Sequence, residues 1–208
     1  MIVNPDIENY LTSLSPVEDE VLRDMERLGK ERQFPIVGPL VGRLLYQLVL
    51  IIGAKRVFEM GSGFGYSAYW FAKAVGEDGE VVFTDIHKKN AQLAKEFFRR
   101  GGVEGRVRIE VGDSLEILGC EKGEFDIIFN DIDKEYYPKV LEKASGKLRR
   151  GGLLISDNML WFGRVLMDKP PEESTKGVKE FTRILFSSTD FFTTIIPLRD
   201  GVSLSVKL

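Results

Sequence analysis

The chain has 208 residues, which predicts one domain with some added elements rather than two full domains. A hydrophobic fraction of 43%, with 11% aromatic residues, supplies a packed core and excludes a disordered chain. With 29 Lys and Arg against 32 Asp and Glu, the net charge of −3 excludes a global positive field that would recruit nucleic acid or an anionic membrane.

The N-terminus, MIVNPDIENY, has no basic stretch ahead of an apolar one, so nothing in it predicts secretion and a cytoplasmic location is expected. Ser15, Pro16, Val17 and Glu18 form a capping box with proline at the first helical position, and Val21, Met25 and Leu28 recur at helical spacing. They predict a helix from Ser15 to Arg32. Pro35 and Pro39 then punctuate the chain, and Leu40, Leu44, Leu45, Leu48, Ile51 and Ile52 line one face of a second, buried helix ending at Gly53. The longest strongly apolar run, Leu48 to Ile52, is far short of the roughly 20 residues of a membrane-spanning helix.

From Arg56 onward, short apolar runs alternate with longer amphipathic ones, the pattern of βα units around a parallel sheet. Strands are predicted at Val57 to Met60, Val81 to Asp85, Val107 to Val111, Phe125 to Asp131 and Leu153 to Asp157. Helices are predicted at Tyr66 to Val75, Lys88 to Arg100, Tyr136 to Leu148 and Thr175 to Phe186. Phe191 to Ile196 and Val202 to Val206 are separated only by Pro197 to Gly201, so they form an antiparallel hairpin. Asp168 to Ser174 reads as a mobile surface loop. Cys120 and His87 are the only cysteine and histidine, which excludes an intramolecular disulfide and any multi-cysteine or His-rich metal site. Cys120 is expected to be partly buried.

The first strand is handed to a helix through Glu59-Met60-Gly61-Ser62-Gly63-Phe64-Gly65-Tyr66-Ser67. Glycine is needed where the backbone turns sharply and lies against a ligand with no Cβ in the way. A dinucleotide fingerprint would place glycine where Tyr66 stands, which argues against a nicotinamide-dependent oxidoreductase, and no Gly-Lys-Ser/Thr follows as in a P-loop. The second strand ends at Asp85, 24 residues after Gly61, where doubly wound folds set a carboxylate against a ribose diol. Together they point to a nucleoside-bearing ligand without a pyrophosphate. The alternative is a helix-entry turn with packing glycines and Asp85 as a cap.

VFEMGSGFGYSAYWFAKAV, VVFTDI, VGDSLEIL, FDIIFNDIDKEYY, LRRGGLLISDNMLWFGRV and PLRDGVSLSVKL follow one another in a match running from about Pro35 to Leu208. In that order they resemble the cation-dependent small-molecule O-methyltransferases, relatives of the caffeoyl-CoA and catechol O-methyltransferases. The resemblance implies a Rossmann-like, doubly wound α/β fold with helices on both faces. Its seven strands would run in the order 3-2-1-4-5-7-6, mostly parallel with a C-terminal antiparallel hairpin. Residues 1–208 would be a single methyltransferase domain, with 1–55 as a helical cap and 56–208 as the core. The implied cofactor is S-adenosylmethionine. Glu59 and Gly61 match positions at its methionine and ribose ends, with Gly63 in the same loop, and Ser67 matches a serine at its carboxylate. Asp85, usually Glu in the family, matches the ribose ligand; Asp113 and Ser114 match the adenine loop. Val37 matches a position whose backbone closes over the cofactor, and Asp131 is implied at the cofactor, at the metal and, with Lys134, among the catalytic residues. His87 is expected beside the adenosine or in solvent.

Two predicted strands end in acids, at Asp131 with Asp133 beyond it, and at Asp157 followed by Asn158. Neighbouring strands lie roughly 4.8 Å apart, so these oxygens would face one crevice. Two carboxylates and an amide carbonyl suit a hard divalent cation such as Mg²⁺ or Ca²⁺; alternatively, the three aspartates are caps and turn formers. The resemblance assigns the metal to Asp131, Asp157 and Asn158. A hydroxyl acceptor with a pKa of about 10 is mostly protonated at neutral pH, and a divalent cation beside it favours the oxyanion. Lys134 matches the family's catalytic lysine, and nearby positive charge is expected to lower its pKa enough for it to act as the base. Its other reading is an ordinary surface lysine.

Trp161, Phe162, Gly163 and Arg164 follow the metal-site strand, where aromatics either sandwich a flat ring or simply begin a loop. A small catechol-like acceptor is expected. The alternative, transfer RNA 5-hydroxyuridine, would use Arg99, Arg100, Arg106, Arg108, Arg149 and Arg150 as a phosphate-binding surface. The helices before Arg56 lie outside the βα core and are expected to cover the cofactor crevice and contribute to a homodimer.

Overall fold

The computed structural model describes residues 4–208. Seven strands, β1 (Arg56–Met60), β2 (Glu80–Asp85), β3 (Val107–Val111), β4 (Phe125–Asn130), β5 (Leu148–Ser156), β6 (Phe191–Ile196) and β7 (Val202–Lys207), form one sheet. Their order is β3-β2-β1-β4-β5-β7-β6, as expected. β1 to β5 run parallel, and β7 enters antiparallel between β5 and β6 because the five-residue turn allows no crossover.

Eight α-helices among the described residues accompany the sheet: α1 (Pro5–Ser13), α2 (Glu20–Glu31), α3 (Gly38–Ile52), α4 (Tyr66–Ala74), α5 (Lys88–Arg100), α6 (Ser114–Cys120), α7 (Tyr137–Ser145) and α8 (Glu173–Ser187). Successive strand residues point to opposite faces, so the sheet feeds two cores. Val57, Val81, Phe83, Ile127 and Phe129 pack against α2 to α5, while Phe58, Met60, Val82, Ile128 and Leu154 pack against α6 to α8. The central strands β1, β2 and β4 are largely buried and read as near-continuous apolar runs, whereas the edge strand β3, Val-Arg-Ile-Glu-Val, is only half-buried and alternates.

Several boundaries differ from the sequence reading. The helix expected from Ser15 begins at Glu20, and the Ser15 to Glu18 box is not used. Asp19 caps it instead, accepting from the N–H of Val21 (2.9 Å) and Leu22 (3.3 Å). Lys73 (2.9 Å) and the Tyr69 hydroxyl (3.1 Å), both from α4, fix the same carboxylate, a tertiary tie that local spacing does not reveal. α7 stops at Ser145 because Leu148 already pairs with Phe125 across a register shift in β4 and β5. α1, capped by Asn4 with Pro5 at its first position, and the short α6 were not anticipated. Cys120 is exposed rather than partly buried, since it ends α6. Residues 168–172 lie at the surface, as expected, but Glu173 and Ser174, expected in the same loop, already open α8.

Candidate active site

The strand order reverses between β1 and β4, and the crevice at that switch point is where open α/β sheets bind ligands. Gly61 begins the turn after β1 with φ +80°, and a Cβ there would stand 2.6 Å from the Asp131 carbonyl oxygen. At Gly63 a Cβ would stand 2.8 Å from the Phe34 ring. The glycines therefore have a packing role, pressing the turn onto the exit of β4 and onto the segment before α3. Val37, at the N-cap of α3, is buried.

Asp85 secures the turn from the side. Its Oδ2 accepts from the Gly63 N–H (3.0 Å), and its Oδ1 accepts from the His87 N–H (2.7 Å) and the Asn90 amide (3.1 Å). His87 itself is exposed at the start of α5. The Thr84 hydroxyl donates to the Glu59 carbonyl (2.6 Å), so the Ser114 hydroxyl, 2.7 Å away, donates to Thr84. Asp113 caps α6 through the N–H groups of Leu115 (2.7 Å) and Glu116 (3.2 Å).

Strand alternation puts Glu59 on the same face as Val57, inside the larger core. It is fully buried, and neither carboxylate oxygen has a hydrogen-bond partner. Burial pushes its carboxyl up to about 7; the hydroxyls of Ser67 and Ser62 oppose the shift without reaching hydrogen-bonding geometry, and Asp131 and Asp85 reinforce it. Such a site lacks a hydrogen-bond donor or a cation.

The expected acid pair sits at the ends of β4 and β5. The Asp131 N–H donates to the Met60 carbonyl (2.9 Å) and the Asp157 N–H to the Asn130 carbonyl (3.1 Å), so the sheet itself sets both residues. Burial, then repulsion from Asp131, pushes the Asp157 carboxyl up to about 7. Asp131 is also held above its usual range by burial, despite the nearby Lys134 ammonium. The buried Tyr137 hydroxyl donates to the Asp157 carbonyl (2.9 Å) and steadies the end of β5, a contact that sequence spacing missed.

Lys134 is no ordinary surface lysine. Its Nζ donates to Asp131 Oδ1 (2.8 Å) and to the Ile132 carbonyl (3.2 Å), and it lies 5.3 Å from the Tyr137 ring centre and 5.7 Å from that of Trp161. The expected downward shift of its pKa is corrected. Burial alone would lower it, but Asp131, with Tyr137 and Asp157, holds the ammonium above its usual range. α8 closes on this segment at Gly177, where a Cβ would stand 2.1 Å from the Lys134 carbonyl oxygen.

Asn158 has φ +56° and donates its side-chain amide to Asp200 Oδ2 (3.3 Å) in the turn between β6 and β7. Arg199 in the same turn donates to the Ile36 carbonyl (2.8 Å) and faces Glu8 of α1 at 3.4 Å. Both turn residues come from the PLRDG segment between β6 and β7, where nothing in the sequence pattern predicts a site role. Among the described residues no three His, Cys, Asp or Glu side chains converge as a metal site. The candidate donor set is two carboxylates and one amide, and the raised acids are chemically suited to a cation.

A doubly wound sheet closed by this hairpin, with a glycine turn at its switch point, is the architecture of a Rossmann-like methyltransferase. The O-methyltransferase family model matches residues 12–208, and the chain belongs to that family. The catechol O-methyltransferase of Niastella koreensis is 29% identical, covering 96% of this chain and 96% of its own. A methyltransferase of known structure from Geobacter sulfurreducens is 35% identical, with a TM-score of 0.86 over 100% of this chain and 98% of its own. TomG, an O-methyltransferase from Streptomyces achromogenes solved with SAM, is 29% identical, with a TM-score of 0.89 over 97% of this chain and 96% of its own.

Proposed function

We propose that this protein transfers the methyl group of S-adenosylmethionine to one hydroxyl of a small catechol-like acceptor, assisted by a divalent cation. The observation that carries the reading is the Asp131 and Asp157 pair. Two carboxylates pushed up by burial, beside an amide donor, are relieved by a hard cation. Asp131, Asp157 and Asn158 would hold it, and when bound it supplies positive charge that favours the ionised hydroxyl. The TomG complex with SAM and the catechol O-methyltransferase relative support the cofactor and the acceptor class.

At the cofactor side, Glu59 is the partnerless carboxylate that a methionine ammonium would satisfy. Asp85 is already oriented by three donors and keeps about one of its four acceptor sites, on Oδ2, for a ribose hydroxyl. Gly61 and Gly63 shape the floor, and Val37, Ser67, Asp113 and Ser114 complete the assignment made from the sequence. S-adenosylmethionine, when bound, would supply its methyl group to an acceptor oxygen, the electron pair of the broken sulfur–carbon bond staying on sulfur. Lys134 is the residue placed to move the hydroxyl proton at Nζ; its ammonium, held by Asp131, Tyr137 and Asp157, would first have to release a proton to solvent, which a cation neutralising the two acids would favour. Trp161 stands beside Lys134 with a buried indole N–H that has no partner, a donor free for an acceptor oxygen.

The transfer RNA alternative finds less support. Arg99 is paired with Glu96, Arg100 with Asp24, Arg149 with Asp126, and Arg108 with Glu80, Glu110 and Glu121, while Arg106 donates to a backbone carbonyl. Five of the six arginines are thus engaged within the fold, and Arg150 is exposed in β5.

Calorimetry with S-adenosylhomocysteine and NAD, with and without Mg²⁺, tests cofactor and metal together. Binding of the first but not of NAD is expected, with turnover abolished by a chelator. Asp157→Ala should lose metal and turnover yet keep S-adenosylhomocysteine and the fold, because it removes one of two mutually repelling acids. Full turnover in excess chelator, with Asp157→Ala as active as the parent, would reduce the acids to caps and turn formers.

A further inference from the structure

The chain leaves β5 through a segment held in the left-handed region at Asn158 (φ +56°), Trp161 (φ +43°) and Phe162 (φ +54°). Non-glycine residues stay there only where their surroundings hold them. The turn between β6 and β7 does the holding. Asp200 Oδ1 accepts from the Phe162 N–H (2.6 Å) and its Oδ2 from the Asn158 side-chain amide (3.3 Å). The Asp200 carbonyl accepts from the Leu160 N–H (2.8 Å) and the Gly201 carbonyl from the Met159 N–H (2.9 Å). Gly201 permits this closeness, since a Cβ there would stand 2.5 Å from the Leu160 side chain.

A carboxylate only accepts hydrogen bonds, so the end of Asn158 that faces Asp200 is its NH₂, and its carbonyl oxygen is the end left free. We propose that Asp200 is a positioning residue for the cation site: it fixes the Asn158 amide with its oxygen available as a ligand and sets the backbone that carries Trp161 and Phe162. The inference rests on the metal reading above. Partners that orient a metal ligand typically change metal affinity 10- to 100-fold when removed.

The test is Mg²⁺ titration by calorimetry into protein saturated with S-adenosylhomocysteine. Asp200→Ala should weaken Mg²⁺ binding by about 10- to 100-fold while S-adenosylhomocysteine affinity, measured without metal, stays within about twofold. Asp200→Asn keeps one accepting oxygen and should fall between the parent and the alanine variant; it decides the matter if Asp200→Ala does not fold. Parental Mg²⁺ affinity in the variants overturns the proposal. So does a parallel fall in S-adenosylhomocysteine affinity, which would mean that the turn supports the fold as a whole. A parent that binds S-adenosylhomocysteine but no Mg²⁺ removes the metal reading, and this inference with it.

Discussion

At the scale of the residue, Glu59 sets a stability cost against a ligand. Its carboxyl is raised from 4.5 to about 7, so the folded chain holds a proton that the unfolded chain has released between those values. The group's stabilising contribution is therefore present below about pH 4.5 and lost as pH rises through about 7. Above that range the ligand-free protein carries a cost on the order of 3 kcal/mol, which a bound ammonium would offset. Glu59→Gln should accordingly raise the ligand-free Tm at pH 8 by roughly 6 to 12 °C, with little gain at pH 4.5, and should weaken S-adenosylhomocysteine binding. Thermal scans at the two pH values check the sign, and an equal gain at both would show that the charge is not the cause.

At the scale of the element, α8 is the piece that seats the candidate base. Gly177 lets the helix lie directly on the Lys134 carbonyl, with room for no Cβ. Gly177→Ala should force the helix and the Lys134 segment apart and cost about 1 to 3 kcal/mol of stability, as overpacking does. Because the ammonium is tied to Asp131 at 2.8 Å, the same displacement should lower kcat while S-adenosylhomocysteine affinity holds. Denaturant unfolding read beside kcat is the check; lost stability with unchanged kcat would separate α8 from the chemistry.

At the scale of the whole molecule, α1 buries none of its residues, and Ile7, Tyr10, Leu11 and Leu14 form an exposed stripe at helical spacing. Leu50 and Ile51 at the end of α3 are also exposed, at 58% and 75%. Apolar faces of this kind mark association surfaces, so the protein should sediment as a homodimer at micromolar concentration. Tyr10→Glu with Leu14→Glu should shift it toward monomer without unfolding the core, and a parent that stays monomeric across the concentration range would remove the expectation. Local apolar runs and a five-residue turn made the strands and the C-terminal hairpin legible in the sequence, while the strand order came from the family resemblance. The sequence also located the glycine turn, Asp85, and the acids at the ends of β4 and β5, since these follow strand ends in chain order. Tertiary structure decided the rest. Asp19 outcompetes the Ser15 box because Lys73 and Tyr69 reach it from α4, and the Lys134 ammonium is strengthened because Asp131, Tyr137 and Asp157 gather around it. Asn158 is oriented by Asp200 from a distant hairpin. Such partners are set by how the layers pack, and a charge's strength depends on what surrounds it in space, so spacing along the chain carries no record of either.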